Sequence, residues 1–314
     1  MIARSVFVTA AFLCVCNAWA AGRLDHELCD AAVIGDAQTM RALLEQGADP
    51  NAKTEFGKSA LMFAVEEGNN EAAELLIQRG ADVNAKSVAG CTPLTYAAEE
   101  GHARLVALLL DKGAKTYPKT RSGWDALMNA TRYGYPKIMT LLIGRGANVN
   151  TSDRDGRTAL MAAAQNGDVT GARILLDAGA DIDVRDKDGA SALMLAAAKG
   201  SVRVTAFLIE RGANMEAMSD DGATPLFWAA EKGRASVVRL LLDHGADCNH
   251  QSRAGGTALM EAVRNGHASV VKLLMLRGAD VKLRDANGRT ASDYAGESPN
   301  RTLEQLLQDT SRGR

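Results

Sequence analysis

Hydrophobic residues in this chain recur with a helical spacing that glycine interrupts at regular intervals. In the segment 224–233, Thr224 and Pro225 precede a run of apolar and small residues that ends at Gly233. A threonine can cap the free amides of a helix start, and proline fits the first helical position. Glycine readily adopts the left-handed conformation that follows a helix. The pattern therefore predicts a short helix here.

The next segment predicts a second helix and then a loop. Its apolar stripe consists of Val237, Val238, Leu240, Leu241 and Leu242. It stops at Gly245, and the stretch from Ala246 to Gly255 is polar and rich in turn residues, which predicts a hairpin-like loop. Each unit is then helix, turn, helix and loop. Its one apolar face is buried only when neighbouring units stack.

This unit recurs with one constant period, which three glycine series reveal. Gly-Ala-Asp or a close variant begins at Gly47, Gly80, Gly113, Gly146, Gly179, Gly212, Gly245 and Gly278. The turn between the two helices carries Gly35, Gly68, Gly101, Gly134, Gly167, Gly200, Gly233 and Gly266. The loop carries Gly57, Gly90, Gly123, Gly156, Gly189, Gly222, Gly255 and Gly288. These series hold 24 of the 30 glycines, so the glycines are predicted to be turn residues.

The repeated unit resembles the ankyrin repeat. The likeness rests on Thr-Pro-Leu at Thr92 and Thr224, on asparagine after Gly-Ala-Asp at Asn84 and Asn150, and on an alanine series. The alanines are Ala64, Ala97, Ala130, Ala163, Ala196, Ala229, Ala262 and Ala295. The resemblance covers about 24–307 and implies an all-α solenoid with hairpin-like loops, of about nine units.

One departure from the family pattern recurs in the first helix. The family usually has histidine at the fourth place of Thr-Pro-Leu-His. This chain has methionine there in five units, at Met62, Met128, Met161, Met194 and Met260. Methionine adapts to irregular gaps, so we expect these side chains to fill the core. Cys29 aligns with the same place and is expected to be buried.

The boundaries of the repeats follow from the same period. We expect an N-terminal cap over 24–50, seven complete repeats over 51–281 and a C-terminal unit over 282–314. In the last unit, Leu303, Leu306 and Leu307 are expected to face inward. The domain as a whole is predicted to cover 21–314.

The N-terminal segment 1–20 predicts a secretory signal peptide. Arg4 precedes an apolar run from Ser5 to Cys16, and Ala18 and Ala20 supply the small residues that signal peptidase requires. The run is too short for a membrane anchor, since the hydrocarbon core is about 30 Å thick. We expect cleavage after Ala20 and a mature chain that is periplasmic or secreted.

Composition and charge narrow the classes of function. The chain has 36 lysines and arginines against 38 aspartates and glutamates, which argues against a nucleic-acid binder. Cleavage would leave Cys29, Cys91 and Cys248, too few and too widely spaced for a disulfide framework. No nucleotide-binding, hydrolase or zinc-helix motif is present. The sequence therefore predicts a non-enzymatic protein without a cofactor, and we expect a monomer.

A metal-handling protein is the alternative from another class. His244, Cys248 and His250 lie close together in the chain, next to Asp247. Imidazole and thiolate are ligands of zinc and copper, so a site is conceivable. Against it, the other copies of this loop carry no similar group, and no second half of a site is visible. His244 also stands where other units have arginine or lysine at a helix end.

A protein partner is what the resemblance implies. In ankyrin-like proteins the loop tips and first helices form a concave face that binds other proteins. The variable positions of the central units predict an anchor for an acidic patch at Arg121, Trp124, Arg132, Tyr133, Arg154, Arg157 and Lys187. Aromatic residues and arginine are enriched at interface hot spots. A solvated face without a role is the alternative.

Two functions are consistent with such a binding protein. One is to stabilise or tether another exported protein. The other is to act as an inhibitor or immunity-type binder that blocks a toxin or hydrolase. The sequence does not separate them.

Overall fold

The computed structural model describes residues 22–297 and 303–307. Within them the chain is helical, and β pairing is limited to two isolated antiparallel bridges, Lys53 with Ser59 and Ser152 with Thr158. Both bridges close loops ahead of a helix, in accord with the hairpin-like loops predicted above. The signal peptide predicted over 1–20, with cleavage at Ala20, lies outside the described residues.

The helices follow one another in pairs, with the odd-numbered helix first in each pair. They are α1 (Arg23–Ile34), α2 (Ala37–Glu45), α3 (Ala60–Glu66), α4 (Asn70–Gln78), α5 (Pro93–Glu100), α6 (Ala103–Asp111), α7 (Ala126–Arg132), α8 (Pro136–Gly144), α9 (Ala159–Asn166), α10 (Val169–Asp177), α11 (Ala192–Lys199), α12 (Val202–Glu210), α13 (Pro225–Glu231), α14 (Ala235–Asp243), α15 (Ala258–Arg264), α16 (Ala268–Leu276) and α17 (Ala291–Glu297). Residues 303–307 are helical as well. None of the helices in this part of the chain is long and apolar enough to cross a membrane.

The chain divides between Asn148 and Val149 into two compact units. The first holds α1 to α8, and the second holds α9 to α17 with the helical stretch 303–307. In both units each first helix packs on the first helix of the next pair, as α1 does on α3 and α9 on α11. Second helices pack on second helices in the same way, as in α2 on α4. The predicted all-α solenoid is confirmed as the fold class.

Capping residues begin the first helices as predicted. The Thr224 side chain accepts the backbone N–H of Phe227 at 3.4 Å, and Pro225 takes the first turn of α13. Asp125 replaces serine or threonine in α7, and its carboxylate accepts the N–H of Met128 at 2.9 Å. Each bond satisfies an amide that has no partner inside its helix.

All 24 glycines of the three series have a positive φ, and no other described residue does. The prediction that they are turn residues is confirmed. Six of the loop glycines also lie against the next loop. A Cβ atom added at Gly222 would lie 2.9 Å from the backbone nitrogen of Arg253. At Gly245, which ends a second helix, it would meet nothing within 4 Å.

Methionine fills the core as predicted. The five methionines at the histidine place are between 0% and 2% exposed: Met62, Met128, Met161, Met194 and Met260. Cys29 at the same place is 2% exposed. In the C-terminal repeat, Leu303 and Leu307 are buried and Leu306 is partly buried. Apolar filling thus stands where the family usually has a polar link.

Backbone hydrogen bonds join successive loop tips within each unit. In the first unit, the N–H of Val88 donates to Phe56 O at 2.8 Å. In the second, the N–H of Arg253 donates to Asp221 O at 2.9 Å, one of several bonds that link a loop tip to the tip before it. These bonds form a ladder that fixes each tip against the next.

The asparagines after Gly-Ala-Asp bridge neighbouring repeats. The Asn84 amide nitrogen donates to Gly113 O at 3.1 Å, and its oxygen accepts the N–H of Lys115 at 2.9 Å. The Asn150 amide makes the equivalent pair with Gly179 O and the N–H of Asp181. One side chain therefore satisfies a helix-end carbonyl and a loop amide in the next repeat.

Candidate functional site

Three positions of each repeat run from the end of the loop to the last turn of the first helix, and in several repeats their side chains meet. The first is the residue after the loop glycine, and the second and third follow that residue by five and eight positions, as in Lys58, Phe63 and Glu66. We call these three residues the triplet. The first places are Lys58, Cys91 and Trp124 in the first unit, and Arg157, Ala190, Ala223, Gly256 and Arg289 in the second. We call the surface that the triplets of one unit form its triplet face.

The triplet of Lys58, Phe63 and Glu66 holds a cation between a ring and a carboxylate. The Lys58 ammonium lies 4.4 Å from the centroid of the Phe63 ring and forms an ion pair with Glu66. It also lies 4.8 Å from the ring of Tyr96, the middle residue of the next triplet. The Lys58 side chain is only 16% exposed, so both contacts are made in a partly desolvated place where they are stronger.

The last triplet has the same arrangement with arginine as its cation. The guanidinium of Arg289 lies 4.0 Å from the centroid of the Tyr294 ring. One of its nitrogens is 2.5 Å from a carboxylate oxygen of Glu297. Two triplets of the chain, one in each unit, thus supply their own cation to a ring and an acid.

In the central triplet the ring takes the first place and the cation takes the third, where Lys58 has its acid. The guanidinium of Arg132, the third residue, lies 4.8 Å from the ring centroid of Trp124, the first residue. It is also 5.8 Å from the ring of Tyr133. Trp124 is half-buried, whereas Arg132 and Tyr133 are exposed. The two rings therefore hold an exposed guanidinium in a fixed direction.

A carboxylate completes this cluster. The Tyr133 hydroxyl donates to Glu99 at 3.4 Å. Partial burial and the Glu99 charge raise the pKa of Tyr133. Arg121, Trp124, Arg132 and Tyr133 line one hollow of about 250 Å³, together with Glu99. Four of the seven partner-binding residues predicted from the sequence thus come together in the first unit.

The other three predicted residues lie in the second unit. Arg154 and Lys187 are exposed at loop tips. The Arg157 guanidinium lies 3.5 Å from the carboxylate of Asp186, whose side chain is only 2% exposed. Arg157 therefore has a structural partner, since removing it would leave a buried charge without its counter-ion. Arg154 and Lys187 are the cations here that protrude.

A larger hollow in the second unit was not predicted from the sequence. It has a volume of about 610 Å³ and is lined by aromatic and acidic side chains. Trp228 and Glu261, the middle residues of two successive triplets, both face it, and neither was singled out from the sequence. The available signal was a glutamate at a place where other repeats have Phe63, Tyr96, Trp228 and Tyr294.

Glu261 is the most buried acid of this hollow, with its side chain 10% exposed. Burial raises the pKa of its carboxyl group, the charge of Glu231 raises it further, and Arg264 opposes both. An Arg264 nitrogen lies 2.5 Å from the Glu261 carboxylate. The Arg264 side chain is itself 56% exposed.

The geometry gives no support to the metal alternative. Each of its three residues meets a different backbone carbonyl: His244 Nδ1 lies 2.8 Å from Leu240 O, His250 Nε2 lies 2.8 Å from Gly222 O, and Cys248 Sγ lies 3.6 Å from Arg277 O. The described residues contain no group of three or more His, Cys, Asp or Glu that could hold a metal ion. The three side chains stabilise helix ends and loops instead.

Comparison with known proteins agrees with the geometry. A family model described as ankyrin repeats in three copies matches 28–120, 115–186 and 178–252. A second model, described as ankyrin repeats in many copies, matches 241–295. No curated protein matches the chain. The matches cover most of the sequence, and the helix pairs repeat with the same period, so the chain belongs to the ankyrin-repeat family.

Proposed function

We propose that this protein is a non-enzymatic, monomeric scaffold of the exported compartment that binds a protein partner through a triplet face. Ankyrin repeats are generally protein–protein interaction modules. The observation that carries the proposal is the cluster of Trp124, Arg132 and Tyr133. It places an exposed guanidinium on two rings in the middle of the repeat array.

The chemistry of this cluster favours an acidic segment of the partner. A planar guanidinium binds a carboxylate through two parallel hydrogen bonds. Because Arg132 already stacks on Trp124 and Tyr133, it loses less conformational freedom on binding. Tyr133 adds an exposed ring, 41% accessible, with a hydroxyl at its end. Large rings beside arginine are the residue types that dominate binding energy at interfaces.

The second unit adds further cations for an acidic partner. Arg154 and Lys187 are exposed at successive loop tips, and the ladder bond from Lys187 N to Asp155 O, 2.8 Å long, fixes these tips against each other. Fixed tips cost less entropy on binding than mobile loops would. Arg157 contributes less, since its guanidinium already pairs with Asp186.

Export rests on the sequence of 1–20. The charge, apolar run and small residues of a signal peptide precede the first repeat. N-terminal sequencing of the chain recovered from the exported fraction tests this part. A mature terminus at residue 21 is expected, and an intact Met1 in a chain retained inside the cell would contradict it.

Crosslinking and pull-down from the exported fraction test the proposal. Wild type is compared with the double variant Trp124→Ala, Arg132→Ala and with Lys137→Ala, an exposed lysine on α8 of the same repeat. We expect the double variant to lose the captured partner and the control to keep it. Equal capture by all three chains would contradict the cluster as the anchor. Arg157 is left in place because of its bond to buried Asp186.

The same preparation separates the two functions. If the partner is an enzyme, its activity is assayed with and without a stoichiometric amount of this chain. Retained or restored activity indicates a stabilising partner. Loss of activity indicates an inhibitor or immunity-type binder.

A further inference from the structure

The triplet of Ala223, Trp228 and Glu231 has a ring and an acid but lacks its own cation. It lies five repeat periods after Lys58, Phe63 and Glu66, so the places correspond one to one. Trp228 stands for the ring and Glu231 for the carboxylate. Ala223 takes the place that corresponds to Lys58, and its side chain ends at Cβ.

The space that a long side chain would fill is open in the structure. Ala223, Trp228 and Glu231 all line the hollow of about 610 Å³. The next triplet begins with Gly256, which lines it as well. Two successive first places therefore carry no long side chain. The hollow lies along the register where Lys58 and Arg289 place their cations in other repeats.

The charges around the hollow favour a cation. Its lining includes the acids Asp188, Asp221, Glu231, Glu261 and Asp285, against the bases Arg253 and Arg264. Its aromatic walls are Phe227 and Trp228, with Tyr294, whose ring already contacts Arg289. A cation between an aromatic face and a carboxylate gains from both, and gains more where water is excluded.

Three acids of the hollow have a partner within the chain. Glu231 is 3.1 Å from its neighbour Lys232, whose side chain is 51% exposed. Arg264 forms an ion pair with Glu261 at 2.5 Å, and the Tyr294 hydroxyl donates to Asp285 at 2.5 Å. Arg253 lines the hollow as well and is counted among its cations. Five acids against Arg253, Arg264 and Lys232 leave an excess of negative charge.

We propose that this hollow receives a lysine or arginine side chain from the protein partner, in the place that Lys58 takes within its own repeat. The inference rests on the proposed function, because its occupant is a segment of a bound protein. It adds a second subsite of opposite charge preference. The central cluster takes an acid of the partner, and the hollow of the second unit takes a base.

A synthetic peptide tests the hollow without the native partner. The probe is a fluorescein-labelled peptide of alternating lysine and glycine, acetylated and amidated at its ends. The comparison peptide has norleucine in place of every lysine, so it keeps the aliphatic chain and loses the charge. Fluorescence anisotropy gives the Kd of each. We expect the lysine peptide to bind at least about tenfold more tightly.

Substitutions then locate the binding. Ala223→Lys supplies the cation within the chain, so it should weaken peptide binding about tenfold. Trp228→Leu should do the same, whereas Trp228→Phe keeps a ring and should stay within about threefold of wild type. Arg239→Ala, an exposed arginine on α14, is the control and should change nothing.

A conservative variant of an acid controls for misfolding. Glu231→Gln keeps the shape of a partly exposed helical side chain, so the fold is kept, and it should weaken binding about threefold. Binding that Ala223→Lys and Glu231→Gln leave unchanged would overturn the proposal. So would a norleucine peptide that binds as tightly as the lysine peptide.

The outcomes for the hollow and for the proposed function are distinguishable. A lysine peptide that binds wild type and not Ala223→Lys supports the hollow, whether or not the exported fraction yields a partner. A partner that wild type and Ala223→Lys capture equally, without peptide binding, overturns the hollow alone. Loss of capture in the Trp124 and Arg132 double variant bears only on the central cluster.

Discussion

The guanidinium of Arg132 lies 4.8 Å from the ring centroid of Trp124, between the third and first places of one triplet. Lys58 and Glu66 take the first and third places of another triplet and form an ion pair. The first place precedes the first helix and the third is its last residue, and the two side chains meet along the helix in both repeats. This contact is a property of the fold, and the side chains decide what it offers.

Removing Arg132 should expose the Trp124 ring. In the chain 21–314 with Trp228→Phe, which keeps Trp124 as its one tryptophan, Arg132→Ala is expected to shift the tryptophan emission to the red because water reaches the indole. The lost ring contact should cost about 0.5–1 kcal/mol in the free energy of unfolding, as expected for a partly exposed cation–π pair. Fluorescence and urea unfolding measure both, with Lys137→Ala as the control. An unchanged emission maximum would show that Arg132 does not cover the ring.

The buried methionines should carry much of the stability of the stack. Met161 is 1% exposed, and Met161→Ala should cost about 2–5 kcal/mol because it leaves a cavity. Met218 is 49% exposed, so Met218→Ala should stay within about 0.5 kcal/mol of wild type. Urea unfolding compares the two. Equal losses would rule out core filling as the role of Met161.

Two glycines with similar backbone angles should differ in their tolerance of alanine. Gly222 has a φ of 77° and Gly245 a φ of 89°, so alanine strains the backbone at both, by about 1–2 kcal/mol. Only at Gly222 does the added Cβ lie 2.9 Å from Arg253 N. Gly222→Ala should therefore melt at a lower temperature than Gly245→Ala. The reverse order would contradict the close packing of the loop tips.

Cys29 should be protected from thiol reagents in the folded protein. It is 2% exposed, and burial, followed by the charges of Asp30 and Asp25, raises the pKa of its thiol. Both effects suppress the reactive thiolate. In the chain 21–314, which lacks Cys14 and Cys16, and with Cys91→Ser and Cys248→Ser in place, iodoacetamide should label Cys29 only after unfolding in urea. Rapid labelling of the native chain would show that α1 opens.

Glu261 should make stability fall as the pH rises. Burial holds the pKa of this carboxyl above its value in the unfolded chain, which is about 4.3. Between the two values the folded chain binds more protons, so the free energy of unfolding decreases as the pH increases through this window. Glu261→Gln does not titrate there. The stability of wild type relative to this variant should therefore be higher at pH 4 than at pH 7, measured by urea unfolding, and a difference that grows with pH would contradict it.

The sequence predicted the backbone of this fold well, because each signal is local and repeats. A glycine that must adopt a positive φ, as Gly222 does, is marked by its identity and by its period. Caps such as Asp125 act on an amide in the first turn of the same helix. Met161 belongs to the run of apolar residues that its short helix buries. Such features depend on neighbours along the chain.

The site was harder to predict because its contacts join different repeats or depend on missing volume. The sequence singled out Arg157 as a binding residue, but its guanidinium pairs with buried Asp186 from the next loop. Lys58 reaches the ring of Tyr96 in the neighbouring repeat. The large hollow exists because Ala223 and Gly256 are small, and small residues at variable positions give no motif.

The ladder of loop tips has a consequence for how such a chain can change. Within each compact unit a tip N–H donates to the tip before it, as Arg253 N does to Asp221 O, and a carbonyl of the same tip accepts from the next, as Ala254 O does from Ala286 N. A single inserted or deleted residue would displace a tip from both neighbours at once, whereas a whole added repeat would extend the same pattern. Length is thus inherited in steps of one complete repeat, while the triplets between the tips remain open to single substitutions. Binding preference can diverge quickly in this architecture without any alteration of its spacing.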